Sequence, residues 1–189
     1  MRGLPPPAVE RMPPAAFQSQ LLLIDRRRKP APAPDIELRP QRRSIRYHGY
    51  DYSMAGYYAL TLCARNKAHI FGSLTNGNPL QPSALGEVVL LELAAVTLHF
   101  PTVRLDTWML MPNHLHCILV LTRNQTVSLG AVVGSFKSRC FARWRRQLLD
   151  AGYAPPSSCW QRDYYERIIR NPSELEGHRC YILDNPNRW

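Results

Sequence analysis

Apolar positions along the chain follow two spacings. Tyr57-Tyr58-Ala59-Leu60-Thr61-Leu62-Cys63-Ala64 is aromatic and suited to a pleated surface, and reads as a first strand. Ile70 to Leu74 reads as a second, followed by the turn Thr75-Asn76-Gly77-Asn78-Pro79. From Ser83 the period becomes helical. Leu85, Val88, Leu91, Ala95 and Leu98 predict a core-packing helix, capped by Ser83 and running to about Phe100. Thr102 to Met111 is the third strand. The apolar run Leu115 to Leu121 is the fourth, antiparallel to it across the bend Pro112-Asn113. Ser128 to Asp150 reads as a second helix and Ala151 to Ser158 as a loop marked by Gly152, Pro155 and Pro156. The last strand is expected over 164–169. Asn171 then caps a final helix, with Pro172 at its first position and Glu174 at capping-box spacing. It runs to about Asn185, where Pro186 ends it.

Composition changes this picture at the N-terminus. Residues 1–41 hold nine of the 17 prolines and no sustained hydrophobic period. Such a segment buries too little apolar surface to offset chain entropy, so a disordered extension is expected over 1–41, with one domain over 42–189. The cluster Arg26 to Lys29 is either a solvated tail or a weak, non-specific attractor of nucleic acid. Lys and Arg outnumber Asp and Glu by 24 to 14, a net charge of +10, which points to a polyanionic partner. No apolar run approaches the ~20 residues needed to span a bilayer, and Leu21 to Ile24 is too short for a signal core, so a cytoplasmic protein without a membrane partner is expected. Five cysteines without a C-x-x-C pair read as reduced core residues.

Chemistry enters at His114-Leu115-His116. In a strand, residues i and i+2 share a face, which sets the two imidazoles side by side with Cβ atoms roughly 6–7 Å apart. A divalent metal can be held between them if the chain supplies a third ligand; otherwise they are two polar histidines on a solvated face. On the final helix Tyr181 and Asn185 lie four residues apart and share a face. A tyrosine hydroxyl can attack a phosphodiester whose charge a metal polarises, and an asparagine carbonyl can complete a ligand set. Alone, Tyr181 reads as an amphipathic residue at a core edge. In the second helix Lys137, Arg139, Arg143, Arg145 and Arg146 interleave with Phe136, Phe141 and Trp144. That is either a solvated face or a phosphate-tracking surface with aromatic platforms, and the overall charge favours the second.

The chain resembles the single-tyrosine HUH transposases, and within them the REP-associated tyrosine transposases. The resemblance spans most of residues 42–189. It rests on Arg42-Arg43-Ser44-Ile45-Arg46, Gly49-Tyr50-Asp51-Tyr52, Met111-Pro112-Asn113-His114-Leu115-His116, Ser135-Phe136-Lys137-Ser138, Trp160-Gln161-Arg162-Asp163-Tyr164-Tyr165, Ile168-Ile169-Arg170-Asn171 and Tyr181-Ile182-Leu183-Asp184-Asn185-Pro186, in that order. It implies a ferredoxin-like α+β fold, a central antiparallel sheet with helices on one side. His114, His116 and Asn185 would bind Mg²⁺ or Mn²⁺. Tyr181 would attack a DNA phosphate, leaving a 5′-phosphotyrosine and a free 3′-hydroxyl. The expected substrate is single-stranded DNA bearing a short palindromic hairpin, contacted through Arg42, Arg43, Lys137, Arg139, Arg143, Arg146, Gln161, Arg162 and Arg167. The broader group works as dimers, the REP-associated branch as monomers, so a monomer or homodimer is expected. Arg167 stands where the family often has histidine, and His178 where it is usually apolar. Gly177 weakens the tyrosine helix by roughly 1 kcal/mol relative to Ala. Two other classes fit the residues: a hairpin-binding protein that does not cut, and a metal-dependent phosphodiesterase using water.

Overall fold

The computed structural model describes residues 49–74, 80–124 and 126–189. The Pro-rich extension, the leading residues Arg42 to Arg46 and the turn at Thr75 to Pro79 lie outside the described residues.

Among the described residues six strands and four α-helices follow one another: β1 (Gly56–Cys63), β2 (Gly72–Ser73), β3 (Gln81–Pro82), α1 (Ala84–Ala94), α2 (Val96–His99), β4 (Val103–Met111), β5 (His114–Leu121), α3 (Leu129–Asp150), β6 (Tyr165–Ile169) and α4 (Pro172–Leu183). The main sheet has the order β4-β5-β1-β6, with every neighbouring pair antiparallel. Helix α1 lies between β1 and β4 in the chain, and α3 between β5 and β6. This is the βαββαβ order of a ferredoxin-like α+β domain.

The two faces of the sheet are covered differently. Tyr58, Leu60 and Leu62 of β1 and Leu115, Cys117, Leu119 and Leu121 of β5 pack beneath α1 and α3 in the larger core. The alternate residues Tyr57, Ile118, Val120 and Ile169 meet Leu175 and Ile182 of α4 in a smaller core. The two crossover helices therefore share one side, as expected, while α4 covers the other. Each fully buried Leu, Val or Phe stabilises the fold by about 1.5–3 kcal/mol. In α3 the stripe Leu129, Val132, Val133, Phe136 and Cys140 does this at helical spacing.

Local chemistry sets the helix ends. Ser83 Oγ accepts from Gly86 N at 3.1 Å and donates to the Ile70 carbonyl at 2.6 Å. Gly86 has no substitute, because a Cβ there would collide with the Phe71 carbonyl oxygen. Asn171 Oδ1 accepts from Glu174 N at 2.8 Å, and Glu174 Oε2 accepts from Arg170 N at 3.0 Å, one residue before the position a capping box uses.

Four expectations are corrected. The first helix breaks at Ala95, where the backbone flattens to ψ −2°, and α2 turns away onto β4. Leu91 and Leu98 consequently face outward, 57% and 80% exposed. The stripe that is buried includes Leu85, Val88, Val89, Glu92 and Leu93. Glu92 hid it from the hydrophobic pattern; its carboxylate is paired with Arg139 at 2.9 Å and Arg143 at 3.5 Å. The second strand is a two-residue rung, Gly72–Ser73, in a separate ladder with β3. The last helix ends at Leu183, and Asn185–Arg188 form a 3-10 turn.

All five cysteines are free thiols: Cys117, Cys140 and Cys159 are buried, Cys63 half-buried and Cys180 exposed. Among the described residues no helix is long and apolar enough to cross a membrane.

Candidate active site

The site forms where the mouth of β5 meets the end of α4. His114 and His116 occupy alternate positions of β5 on the face that α4 covers. Their rings lie 4.6 Å apart at an interplanar angle of 80°. The intervening Leu115 points into the larger core.

Each ring is held by its Nδ1. Thr61 sits opposite His116 in the β1–β5 register, and its Oγ1 lies 2.8 Å from His116 Nδ1. His114 Nδ1 lies 2.6 Å from Asn113 Oδ1, and a neutral imidazole, with one N–H, can donate either there or to the amide oxygen at its other nitrogen; the shorter contact takes the proton. His114 Nε2 is then a lone-pair atom, and Asn185 Oδ1 lies 3.3 Å from it. Two acceptors facing each other repel, whereas a shared cation makes the contact favourable. The ring nitrogen and the amide oxygen would then both be available as donors to one divalent ion. Burial lowers the pKa of His114, against a smaller opposing pull from the Asn185 oxygen. His116 is lowered to about 4, first by burial and then by His114 beside it. Both are neutral at pH 7, the form that binds metal. The donor set is two imidazoles and one amide, and among the described residues no cluster of three or more His, Cys, Asp or Glu exists. Neutral donors would leave a divalent ion's charge uncompensated and open to a phosphodiester anion.

Tyr181 stands beside this pair, its ring 5.4 Å from that of His116 and 43% exposed. Arg188 lies over the same ring, Cζ to centroid 5.5 Å, and is steadied by Asp184 at 2.8 Å. The 3-10 turn carries Asn185 into a buried position while Tyr181 remains on the last helical turn. The helix is fixed by Arg179, which grips Asp106 of β4 with two hydrogen bonds. Asp106 lies in a register irregularity between Leu105 and Trp108, the kind of bulge that re-aims a side chain.

Of the expected DNA-contacting residues, those on α3 are not gathered here. Lys137 Nζ donates to the carbonyls of Gln161 at 2.7 Å and Arg162 at 3.1 Å, tying α3 to the loop before β6. Arg139 and Arg143 serve Glu92, and Arg146 approaches Asp150 at 3.9 Å in an exposed pair. All four are on α3, which covers the opposite face of the sheet from the histidines. Arg167 is on the histidine face, 3.6 Å from Glu174. Arg42 and Arg43 lie outside the described residues. Thr61, Asp106, Arg179 and Arg188 are additional residues of the site. Only Asp106, a charge inside an apolar strand, carried a local sequence signal.

No family model matches the chain. An uncharacterized protein of Haemophilus influenzae is 31% identical over 170 residues, spanning 78% of this chain and 89% of its own. The chain belongs to the same family as that protein. Its fold is also that of a solved REP-associated tyrosine transposase bound to a REP hairpin. The TM-score is 0.54 at 20% identity, covering 76% of this chain and 73% of the other.

Proposed function

We propose that this chain is a tyrosine transposase of the REP-associated type, cutting and rejoining single-stranded DNA that carries a short palindromic hairpin. One observation carries the reading: Tyr181, His116, His114 and Asn185 converge on one face of the sheet, with Tyr181 5.4 Å from His116 and Asn185 3.3 Å from His114. A basic chain and the fold shared with a hairpin-bound transposase support it.

The Tyr181 oxygen forms a bond to phosphorus and the P–O3′ bond breaks. The phenolic proton passes to solvent, and the departing 3′ oxygen takes one up as a hydroxyl. The 5′-phosphotyrosine keeps the bond energy, so rejoining to another 3′-hydroxyl needs no ATP. His114, His116 and Asn185 would hold Mg²⁺ or Mn²⁺, which would draw charge from the phosphate and ease departure of the 3′ oxygen. Asn113 and Thr61 keep the imidazoles turned for that task. Arg188, above the Tyr181 ring, offers donors to a phosphate oxygen.

The test is a labelled hairpin oligonucleotide with Mn²⁺, resolved on denaturing gels. Wild type should form a covalent protein–DNA adduct. Tyr181→Phe should bind the hairpin normally and form none. Tyr164→Phe and Tyr165→Phe should still form it. Tyr164 packs on the larger core, with Lys137 over its ring, so Tyr165 is the nearer rival. Free cleaved DNA without adduct would identify water as the nucleophile, and a retarded but uncut complex a binding protein. An adduct that persists in Tyr181→Phe would overturn the assignment.

A further inference from the structure

A cavity of about 500 Å³ lies between β6 and α4, beside the histidine pair. Ala59 lines it from the sheet, Tyr165 and Arg167 from β6, and Gly177 and His178 from α4, with Tyr181 and His116 also in its wall. Its volume falls within the ~300–1,000 Å³ typical of small-molecule sites. The nucleophile assigned above therefore opens onto a concave groove.

Three features give the pocket its chemistry. Gly177 has ordinary backbone angles, and a Cβ there would meet nothing within 4 Å. The helix does not require glycine here and loses about 1 kcal/mol by having it, so what the glycine supplies is space. Tyr165 is 53% exposed, a flat ring with a free surface at the cavity. Arg167 uses Nη2 on Glu174 at 3.6 Å, while Glu174 is itself held by Arg170 N, so the guanidinium is steadied and keeps donors to offer. A planar ring that stacks on tyrosine and presents two adjacent acceptors to a guanidinium is a nucleobase, and the base with that edge is guanine, through O6 and N7. The strand β6 is the outer edge of the sheet, so a single strand can reach the pocket from that side.

Resting on the function proposed above, we propose that the cavity between β6 and α4 is a pocket for one unpaired guanine of the DNA strand, adjacent to the phosphate that Tyr181 attacks. The Tyr165 ring stacks on the base, Arg167 reads its acceptor edge, and Gly177 leaves room for it.

The experiment uses hairpin oligonucleotides with a single-stranded flank of thymines. One dG is moved along the flank and replaced in turn by dA, dC or an abasic site, and binding is followed by fluorescence anisotropy in EDTA. At one position dG should bind about tenfold or more tighter than the abasic site or dC, the range of a good bidentate base contact. Arg167→Ala should erase the preference. Gly177→Leu should weaken the dG strand and leave the abasic strand unchanged. Gly177→Ala, which suits a helix, should do the same in part, and it keeps the test open if the leucine variant does not fold. No base dependence at any position, or a preference that survives Arg167→Ala, overturns the pocket. Equal binding of dA and dG overturns the guanine assignment. Adduct formation is scored on the same strands with Mn²⁺. An adduct without base preference overturns this inference alone, and base preference without an adduct overturns the proposed function alone.

Discussion

Arg179 of α4 and Asp106 of β4 are joined across 73 residues by two hydrogen bonds, Nε to Oδ2 at 2.9 Å and Nη2 to Oδ1 at 2.5 Å. Both side chains are largely buried, 17% and 6% exposed. The pair braces the helix that carries Tyr181. Truncating one partner strands the other's charge, so Asp106→Ala should cost about 3 kcal/mol in urea unfolding. Replacing both, as Asp106→Leu with Arg179→Met, should restore most of that stability. A single variant within about 0.5 kcal/mol of wild type would show that α4 is held by its apolar contacts alone.

Thr61 Oγ1 meets the His116 ring at Nδ1, so Thr61→Val keeps shape and removes the partner that orients the ring. Loss of such a supporting hydrogen bond should weaken Mn²⁺ binding about 10–100-fold in calorimetric titration, with the fold intact by circular dichroism. His114→Ala and His116→Ala should lose more. Unchanged Mn²⁺ affinity in all three would mean that the histidines hold no metal.

Glu174 closes the N-terminus of α4, and the Arg170 N–H first, with Arg167 and Arg170 nearby, holds its carboxyl below the usual 4.5. A carboxyl lowered in the fold adds stability that is present above pH 4.5 and is lost as pH falls through its folded value. Glu174→Gln should therefore cost about 0.5–1 kcal/mol at pH 7, as helix-end charges and caps do. The gap between variant and wild type should close on acidification below pH 4.5, the carboxyl's ordinary value. A gap that is constant with pH would assign the effect to something other than the carboxylate.

The basic residues of α3 divide by role. Arg139→Ala withdraws a partner from the buried carboxylate of Glu92 and should destabilise the fold by about 1–2 kcal/mol. Arg146 is 85% exposed and paired only at 3.9 Å. Arg146→Ala should leave stability within about 0.5 kcal/mol. If α3 tracks phosphates, that variant should also reduce the log–log salt slope of DNA binding by about 0.7. An unchanged slope would mean that DNA does not pass over this helix.

By itself the sequence determined the features that depend on neighbours a few residues apart. The 2-residue period put His114 and His116 on one face and Leu115 in the core, as the 4.6 Å ring separation bears out. Ser83, Ser128 and Asn171 announced helix starts because a cap needs only a side-chain oxygen and an N–H three residues on. Where a charge broke the pattern, as Glu92 does in α1, the reading turned the wrong leucines inward. Only the tertiary structure decided that α4 crosses the face opposite α1 and α3, that Thr61 stands behind His116, that Arg179 finds Asp106, and that β6 and α4 leave a cavity between them. Each depends on strand register or on helix placement over a sheet. Those are set by the sum of many weak contacts between residues far apart in the chain, and no local stretch carries that sum.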